Sequence, residues 1–532
     1  MSFAVAVGLF SSIYAATDRA NTADRAAYQS GADVRVLLTG FNTTPPDIDS
    51  AVDGISGVAL SSTAFRGGGS PGRSNLNATV LAIDPGTFRD VAWTRGDLAA
   101  EPIDQLEQKL VDQDPDGVRL AGEPVRLAIW TWSSGLGGEL GIDLTDATGR
   151  PCSCTFGSLN FTGERVLTAP LGFSTPPRYP LRLRGFRVRT TNDGPHDGTI
   201  AVGDLRGVAA DGTATLIESF ENRDGWWQES QGPISDTFDL IPDLTHARAG
   251  HPTATLPAHL FRGTLVFQPA PSQQALPALV SGQTLEALGV GLGHAFPMHV
   301  DTVVVSVLAV GVVDYFPTLY PGRDNFLIVP RDSLLERLGH EHYTLAWPNE
   351  AWLKFKGDPA PALRKLRGVD DLVDLEARGS LQAGALGDPL RKALQSTLTI
   401  GFLAALAMAV VGFGLHFLVA TRERHSDYAI LQANGLPPGL VQRSLAAEQG
   451  VLLLYSVIVG AALALLMAWA ILPSVQVSPN LEDLVPPTRV HLDPLAAAAV
   501  LGAVLVVAFA AGQLASRLGG RLRLLDELRL LG

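Results

Sequence analysis

Few residues in this chain have the types and spacing that support chemistry. Gly339-His340-Glu341-His342 puts two imidazoles around a carboxylate. Histidines at i and i+2 do not share a helix face, and no third ligand stands near them in sequence. His294, His299 and Asp301 form a looser group of the same kind. The only two cysteines, Cys152 and Cys154, flank Ser153. A disulfide framework needs more cysteines, and a zinc site needs further ligands at short spacing. The pair reads as free or casually oxidised thiols, or as a strained bridge. No Gly-x-Ser-x-Gly elbow and no Gly-x4-Gly-Lys-Ser/Thr phosphate loop occurs. The expectation is a protein with no catalytic site, metal or cofactor of its own, in which ATP-driven work would come from another polypeptide.

Composition sets the frame for these groups. The chain has 532 residues, too many for one core, so two or three folded units are expected. Apolar residues make up 46% and charged residues 17%. That shortage of charge fits a chain with part of its length in lipid. The net charge of −13 and the lack of a basic stripe among aromatics exclude nucleic-acid binding.

Three stretches are long and apolar enough to span a bilayer: 397–420, 450–472 and 494–516. Soluble helices of this length would show a polar face. Residues 1–17 form a fourth candidate. A helix of about sixteen residues rises about 24 Å, short of the hydrocarbon core, and the basic start of a signal peptide is missing. It is read as a first spanning helix that is short or clipped. Arginines set the orientation. Arg422, Arg424 and Arg443 lie in the loop 421–447, and four more follow residue 516. The loop 473–493 carries Arg489 against Glu482, Asp483 and Asp493. The first two segments are thus expected inside the cell and 18–395 outside. Arg391 and Lys392 argue weakly the other way.

The large outer region reads as mixed. Short strands are expected at 32–40 and 78–84, a flexible loop at 66–74 (RGGGSPGRS), and a helix within 97–113. From 125 the pattern changes to short strands between Gly, Asp and Pro turns, as in VRLAIWTW and LRLRGFRVRT. This predicts an inserted jelly-roll-like β-sandwich. Sandwiches of this kind often bind sugars, so Trp130, Trp132, Trp226 and Trp227 are candidate stacking platforms; the plainer reading puts them in the sandwich core or rim. Mixed structure returns from about 250, and 381–396 reads as an amphipathic stalk. The expected domains are a first helix over 1–17, the leading stretch of the outer region over 18–124, the sandwich over 125–225, the trailing stretch of the outer region over 226–388, and a membrane module over 389–532.

Between the second and third spanning stretches lies TRERHSDYAILQANGLPPGLVQRSLAAEQGVLLL, residues 421–454. A short helix is expected to close at Gly435, with Pro437 and Pro438 forcing a break. A second helix then enters the membrane past Glu448. On its own, this is either a docking surface for a partner or a plain hairpin loop meeting lipid headgroups.

Arg422, Glu423, Arg424, the run DYAILQANG and Glu448 resemble the signature of the FtsX-like (MacB-type) permeases of ABC transporters. Asp427, Gln432 and Asn434 depart from the usual residues of that signature. The resemblance covers the three C-terminal helices and the outer loop 473–487; over 18–395 it is architectural, a mixed porter-like region interrupted by a sandwich. It implies an α+β membrane protein with four transmembrane helices and a large extracytoplasmic mixed α/β domain carrying an inserted β-sandwich. It also implies a bacterial plasma-membrane location, multi-pass, with the large domain outside. In the family a cytoplasmic ATPase dimer docks on the short helix, and its motion passes through a stalk to the outer domain. Arg422, Glu423, Arg424, Asp427, Ala429, Ile430, Leu431, Ala433, Gly435 and Glu448 are the ATPase-coupling residues it implies. A second permease module, from a copy or a paralogue, and membrane lipid are the other expected partners. A longer two-module protein is a further possibility. The competing functions are a regulator of an external cell-wall hydrolase and a membrane-anchored carbohydrate-binding protein, with Trp226 and Trp227 as stacking residues.

Overall fold

A computed structural model describes residues 1–38, 52, 55–72, 76–111, 118–173, 175–191, 197–220, 226–231, 241–248, 251–259, 264–269, 274–300, 303–342, 347–369, 372–423, 438–472 and 485–530. The chain divides into two compact units. One joins Met1–Ala26 to Gly379–Gly532, and the other is Ala27–Arg378.

The second unit is built on a nine-stranded sheet. Its order is β17 (Ala295–Val300), β18 (Val303–Val313), β16 (Leu276–Ser281), β19 (Asn325–Pro330), β3 (Ala78–Ile83), β2 (Val58–Pro71), β20 (Glu350–Phe355), β1 (Val34–Leu38) and β21 (Leu372–Ala377). The β16–β18 and β19–β3 pairs are parallel, the others antiparallel. Strand β18 shows why such segments become strands: its residues alternate strictly between buried and more exposed, the period-two pattern of a half-covered sheet.

The far end of β2 also pairs with β17, Gly69 opposite Val300, so six strands close on themselves. Val80, Val280, Met298, Val305, Val307 and Val329 fill the enclosed side. The tight coil runs through Gly67-Gly68-Gly69. A Cβ at Gly69 would stand 2.6 Å from Val80 Cγ2, so only glycine lets these backbones approach. The flexible loop expected at 66–74 is therefore corrected: through Pro71 this stretch is strand.

The other face of the sheet is covered by helices α2 (Pro85–Val91) and α3 (Ile103–Lys109), whose Phe88, Val91, Leu106 and Leu110 pack on Leu81, Ile83, Phe326 and Trp352. Asp84 caps α2 by accepting from Gly86 N–H, and Pro85 suits its first position. Helices α4 (Gly282–Leu288) and α5 (Arg331–His342) instead pack Leu285, Leu334 and Leu338 with the residues of the enclosed side, and α6 (Ala360–Leu366) packs Ala362 and Leu366 with Val34, Val36, Ala351 and Leu353. On the face of α2 and α3, Glu350 is wholly buried between Arg66, at 2.6 Å, and Arg35, at 3.3 Å. Burial pushes its carboxyl up, but the two guanidinium groups outweigh burial and hold it below the ordinary range.

Twelve strands are inserted between β3 and β16. One antiparallel sheet runs β13 (Ile241–Arg248), β14 (His251–His259), β10 (Asp197–Val208), β5 (Arg126–Ser134), β8 (Thr162–Pro170), with β11 (Ala214–Glu218) on β10. The other runs β12 (Trp226–Gln231), β15 (Thr264–Pro269), β9 (Arg182–Thr190), β6 (Gly138–Thr145), β7 (Pro151–Ser158), with β4 (Val118–Arg119) on β9. Leu127, Ile129, Ile200 and Val202 from the first share one core with Leu140, Ile142, Phe186 and Phe267 from the second. The insert thus reaches from Val118 to Pro269, wider than the 125–225 read from sequence. Its last four strands carry Pro, His and polar residues without clean alternation; they belong to it because of partners distant in sequence.

Arg331, 1% exposed, locks the insert to the sheet. Its guanidinium donates to the Thr63 carbonyl at 3.1 Å, to Thr63 Oγ1 at 2.7 Å and to the Ala147 carbonyl at 2.9 Å. Arg184 of β9 adds a bond to the Leu335 carbonyl of α5 at 2.9 Å.

Candidate functional site: the coupling segment and its helices

The first unit consists of α1 (Ser2–Ser30), most of α7 (Arg378–Gly387), α8 (Pro389–Glu423), α9 (Pro438–Ile471) and α10 (Pro494–Leu530). Among the described residues, three stretches are long and apolar enough to cross a membrane: Pro389–His416, Ala447–Ile471 and Pro494–Ala511. Their outward residues are large and apolar, among them Met408, Leu466, Trp469, Val506 and Phe509, as expected where lipid replaces water. The stalk expected at 381–396 divides at Asp388, whose side chain accepts from Leu390 N–H as α8 begins.

Helix α1 does not stop at residue 17. It runs on to Ser30, because the charged stretch after Thr17 is rich in residues that favour helix, until Gly31 at φ 73° ends it. Its apolar start packs Val5, Leu9, Phe10 and Ile13 against Ala464 and Ala468 of α9 and Val504 of α10. Gly8 and Gly460 permit this approach. A Cβ at Gly8 would lie 2.5 Å from the Phe402 ring, and one at Gly460 would lie 2.6 Å from the Ser2 carbonyl.

Beyond the apolar start, α1 turns polar in an ordered way. Thr17, Asn21 and Arg25 recur every four residues and so share one helix face. Asn21 donates to the Arg489 carbonyl at 2.8 Å and accepts from Arg489 N–H at 2.9 Å. Thr17 accepts from His491 N–H at 3.0 Å, and Arg25 donates to Thr488 Oγ1 at 3.1 Å. Arg391 of α8 pairs with Asp18 at 3.3 Å and bonds Thr22. The sequence reading missed this polar collar. The i, i+4, i+8 spacing was its only signal, and nothing in sequence names the partner segment. Arg391, counted as a weak argument against the orientation, is engaged by Asp18.

The residues expected from the resemblance to meet an ATPase fall at the end of α8, at the start of α9 and in the stretch between them. Arg422 and Glu423 form the last two residues of α8. Glu448 stands exposed on α9, one residue into the stretch that can span a membrane. Arg424, Asp427, Ala429, Ile430, Leu431, Ala433 and Gly435 lie outside the described residues. Pro438 opens α9, where a missing N–H costs nothing.

The aromatic candidates sit elsewhere. Trp226 is half-buried, its ring 5.2 Å from Phe220, 5.8 Å from Phe186 and 6.2 Å from Phe267, among the core rings of the insert. The side chain of Trp227 lies outside the described residues. Trp130 is 5% exposed and donates from its indole to Glu164 at 3.2 Å. Among the described residues no three His, Cys, Asp or Glu side chains gather in a way that could hold a metal.

Among the described residues, helices long and apolar enough to cross a membrane are combined in one chain with a large mixed α/β unit. Residues 399–522 match the family model for the FtsX-like permease C-terminal domain. The likeness read around Arg422 and Glu448 is thus an FtsX-like permease domain, which points to an ABC transporter permease working with an ATPase. No curated protein sequence matches the chain.

Proposed function

We propose that this chain is the transmembrane subunit of a MacB-type ABC transporter, passing ATP-driven motion from a cytoplasmic ATPase dimer to its large outer unit, for export or extraction. The observation that carries the reading is the family match over 399–522, which brackets the segment between α8 and α9. In this reading α1 is a fourth spanning helix, and Ala27–Arg378 lies outside the plasma membrane of a bacterium. The insert is a β-sandwich that meets the client. The chain has no ATPase activity of its own and works with a second permease module, a copy of itself or a paralogue.

The fold supports a mechanical role. The two units are joined by two chain crossings, one within α1 at 26/27 and one at 378/379 where α7 begins. Both crossings lead into neighbouring strands of one sheet, β1 and β21. A pull or twist on the helices would reach the outer unit through hydrogen-bonded neighbours.

The test is Ala429→Asp with Ala433→Asp in the full chain. These positions are four apart and so share a face in a helix. Carboxylates there would meet the groove of a docked ATPase, and burying them unpaired costs several kcal/mol. Loss of co-purification with the cognate ATPase, at unchanged thermal stability of the permease, is expected. Wild-type binding by the double variant would remove this face from the coupling surface. Unfolding of the permease would favour a plain hairpin loop instead.

A further inference from the structure

Cys152 and Cys154 lie two apart on β7, both side chains on the core side of the insert, 4% and 3% exposed. Their sulfurs stand 2.9 Å apart, well inside ordinary contact between unbonded sulfurs. We propose that these two cysteines are a redox-active dithiol that closes to an internal disulfide when a small hydroperoxide reaches it.

Three features favour closure over inert packing. The intervening Ser153 points to the opposite side of the strand, where its hydroxyl donates to Asp143 Oδ1 at 2.6 Å. That bond anchors the link between the two cysteines and leaves both sulfurs facing each other. Among the described residues strand β7 is the edge of its sheet, paired with β6 alone, and its register with β6 already slips at Leu140/Gly141. An edge strand can contract its pleat without breaking a second ladder, which bridging i and i+2 requires, since Cα atoms of a disulfide lie closer than in an extended strand. The sulfurs are also unequal. Hydrogen bonding from Cys152 favours the thiolate at Cys154 against the opposing effect of burial, with the Gly172 N–H at 3.4 Å adding to it, while Cys152 is pushed up by the same sulfur contact and by burial. The thiolate is the nucleophile.

Cys154 sulfur attacks the peroxide oxygen, the O–O bond breaks, and water or an alcohol leaves with the thiol proton. The resulting sulfenic acid is attacked by Cys152 sulfur; the S–S bond forms, and the sulfenic oxygen leaves as water with the second proton. The two sulfurs together lose two electrons, and the hydroperoxide is reduced. Burial admits a small oxidant and keeps out bulky thiols and disulfides.

The test uses the full chain in detergent, exposed to hydrogen peroxide and then unfolded in N-ethylmaleimide. Two thiols should take the reagent before oxidation, none after it, and two again after reduction. The peptide 151–158 should lose two hydrogens with no link between chains. In Cys152→Ala the remaining sulfur should gain oxygen instead, because its resolving partner is gone. Persistence of both reactive thiols after peroxide, separate oxygenation of each in the wild-type chain, or a bridge between two chains would overturn the proposal. Cys152→Ala with Cys154→Ala, melting alongside wild type, checks that the core tolerates loss of the sulfurs. A wild-type chain that unfolds in peroxide before any bridge forms also counts against it.

Discussion

Val34 and Ala377 face each other across the antiparallel β1–β21 pair, and one step further Arg378 N–H donates to the Asp33 carbonyl at 3.0 Å. The chain therefore comes into the nine-stranded sheet from α1 and leaves it toward α7 on hydrogen-bonded neighbours. Any motion handed along the chain from the helices to the unit Ala27–Arg378 has to pass through that pair of strands.

The proposed orientation is open to chemical labelling. In a chain with Cys152 and Cys154 replaced by alanine, Ser230→Cys should react with an impermeant maleimide in intact cells. Ser426→Cys should react only after the cells are opened. The motivation is the arginine excess in 421–447 and after 516. Labelling of position 426 in intact cells would reverse the topology.

Gly31 is the most exacting of the described glycines in the unit Ala27–Arg378. It adopts φ 73°, and a Cβ would lie 2.3 Å from the buried Trp352 ring. Gly31→Ala combines the cost of a left-handed alanine with overpacking against a fixed indole, about 2–4 kcal/mol together. Gly68→Ala serves as the control, since a Cβ there meets nothing within 4 Å. It should change stability by less than about 1 kcal/mol. Denaturant melts of the two variants should separate by that difference; coincident melts would refute the steric argument.

Arg331→Met should loosen the insert from the sheet. It keeps much of the volume but leaves the carbonyls of Thr63 and Ala147 without their buried donor. A loss of about 3–5 kcal/mol is expected. Arg331→Lys should recover little of it, because one ammonium cannot copy the planar fork that reaches both carbonyls. Limited proteolysis should show earlier cleavage around 118–269 in the methionine variant than in wild type. An unchanged cleavage pattern would count against the clamp.

Glu107 on α3 gives a pH signature. It is 4% exposed, and neither carboxylate oxygen has a hydrogen-bond partner among the described residues. Burial pushes its carboxyl up from 4.5 to about 7, with Arg89 of α2 opposing and Asp104 and Asp90 adding to the shift. The folded state therefore holds the proton more tightly than the unfolded chain. Stability from this group is full below about pH 4.5, falls as pH rises to about 7, and is flat above. The total is at most about 3 kcal/mol. Glu107→Gln should flatten that stretch of the melting curve and raise the melting temperature at pH 8. Parallel curves for variant and wild type would show that Glu107 is not the titrating group.

Much of this architecture is legible in the residues, and the gaps have physical causes. The period-two alternation of Val303–Val313 and the long apolar runs of α8, α9 and α10 are local patterns, so sequence alone reports them. Gly67-Gly68-Gly69 misleads because glycine marks both loops and tightly coiled strands. The deciding fact is the approach of Val80 on the next strand and of His299, far along the chain. Residues 226–269 looked mixed because β12 to β15 take their strand character from β9 and β10 rather than from their own pattern. Between α8 and α9, the sequence supplied nearly all of the reading. The structure adds the helix ends at Glu423 and Pro438 and the exposed Glu448. Thr17, Asn21 and Arg25 stayed hidden because their partners are mostly backbone groups of 488–491, which carry no side-chain signature.

The threading of the sheet also sets an order of assembly. Val34 on β1 pairs with Leu353 and Ala377, and β3 takes β19 as its parallel neighbour, so the earliest strands wait for the last stretch of the unit Ala27–Arg378 to be synthesised. The insert has much more local pairings: β5 with β8, β6 with β7, β13 with β14. Contacts of short sequence separation form sooner, because less loop entropy is lost in making them. The insert can thus be a finished body while β1, β2 and β3 still lack their late partners. A nascent chain held at that stage exposes unpaired apolar strand edges, the state in which aggregation competes with folding. Pulse-labelled chains truncated after residue 272 and after residue 378 would distinguish the two stages by protease resistance: the insert alone in the first, the whole of the sheet-bearing unit in the second.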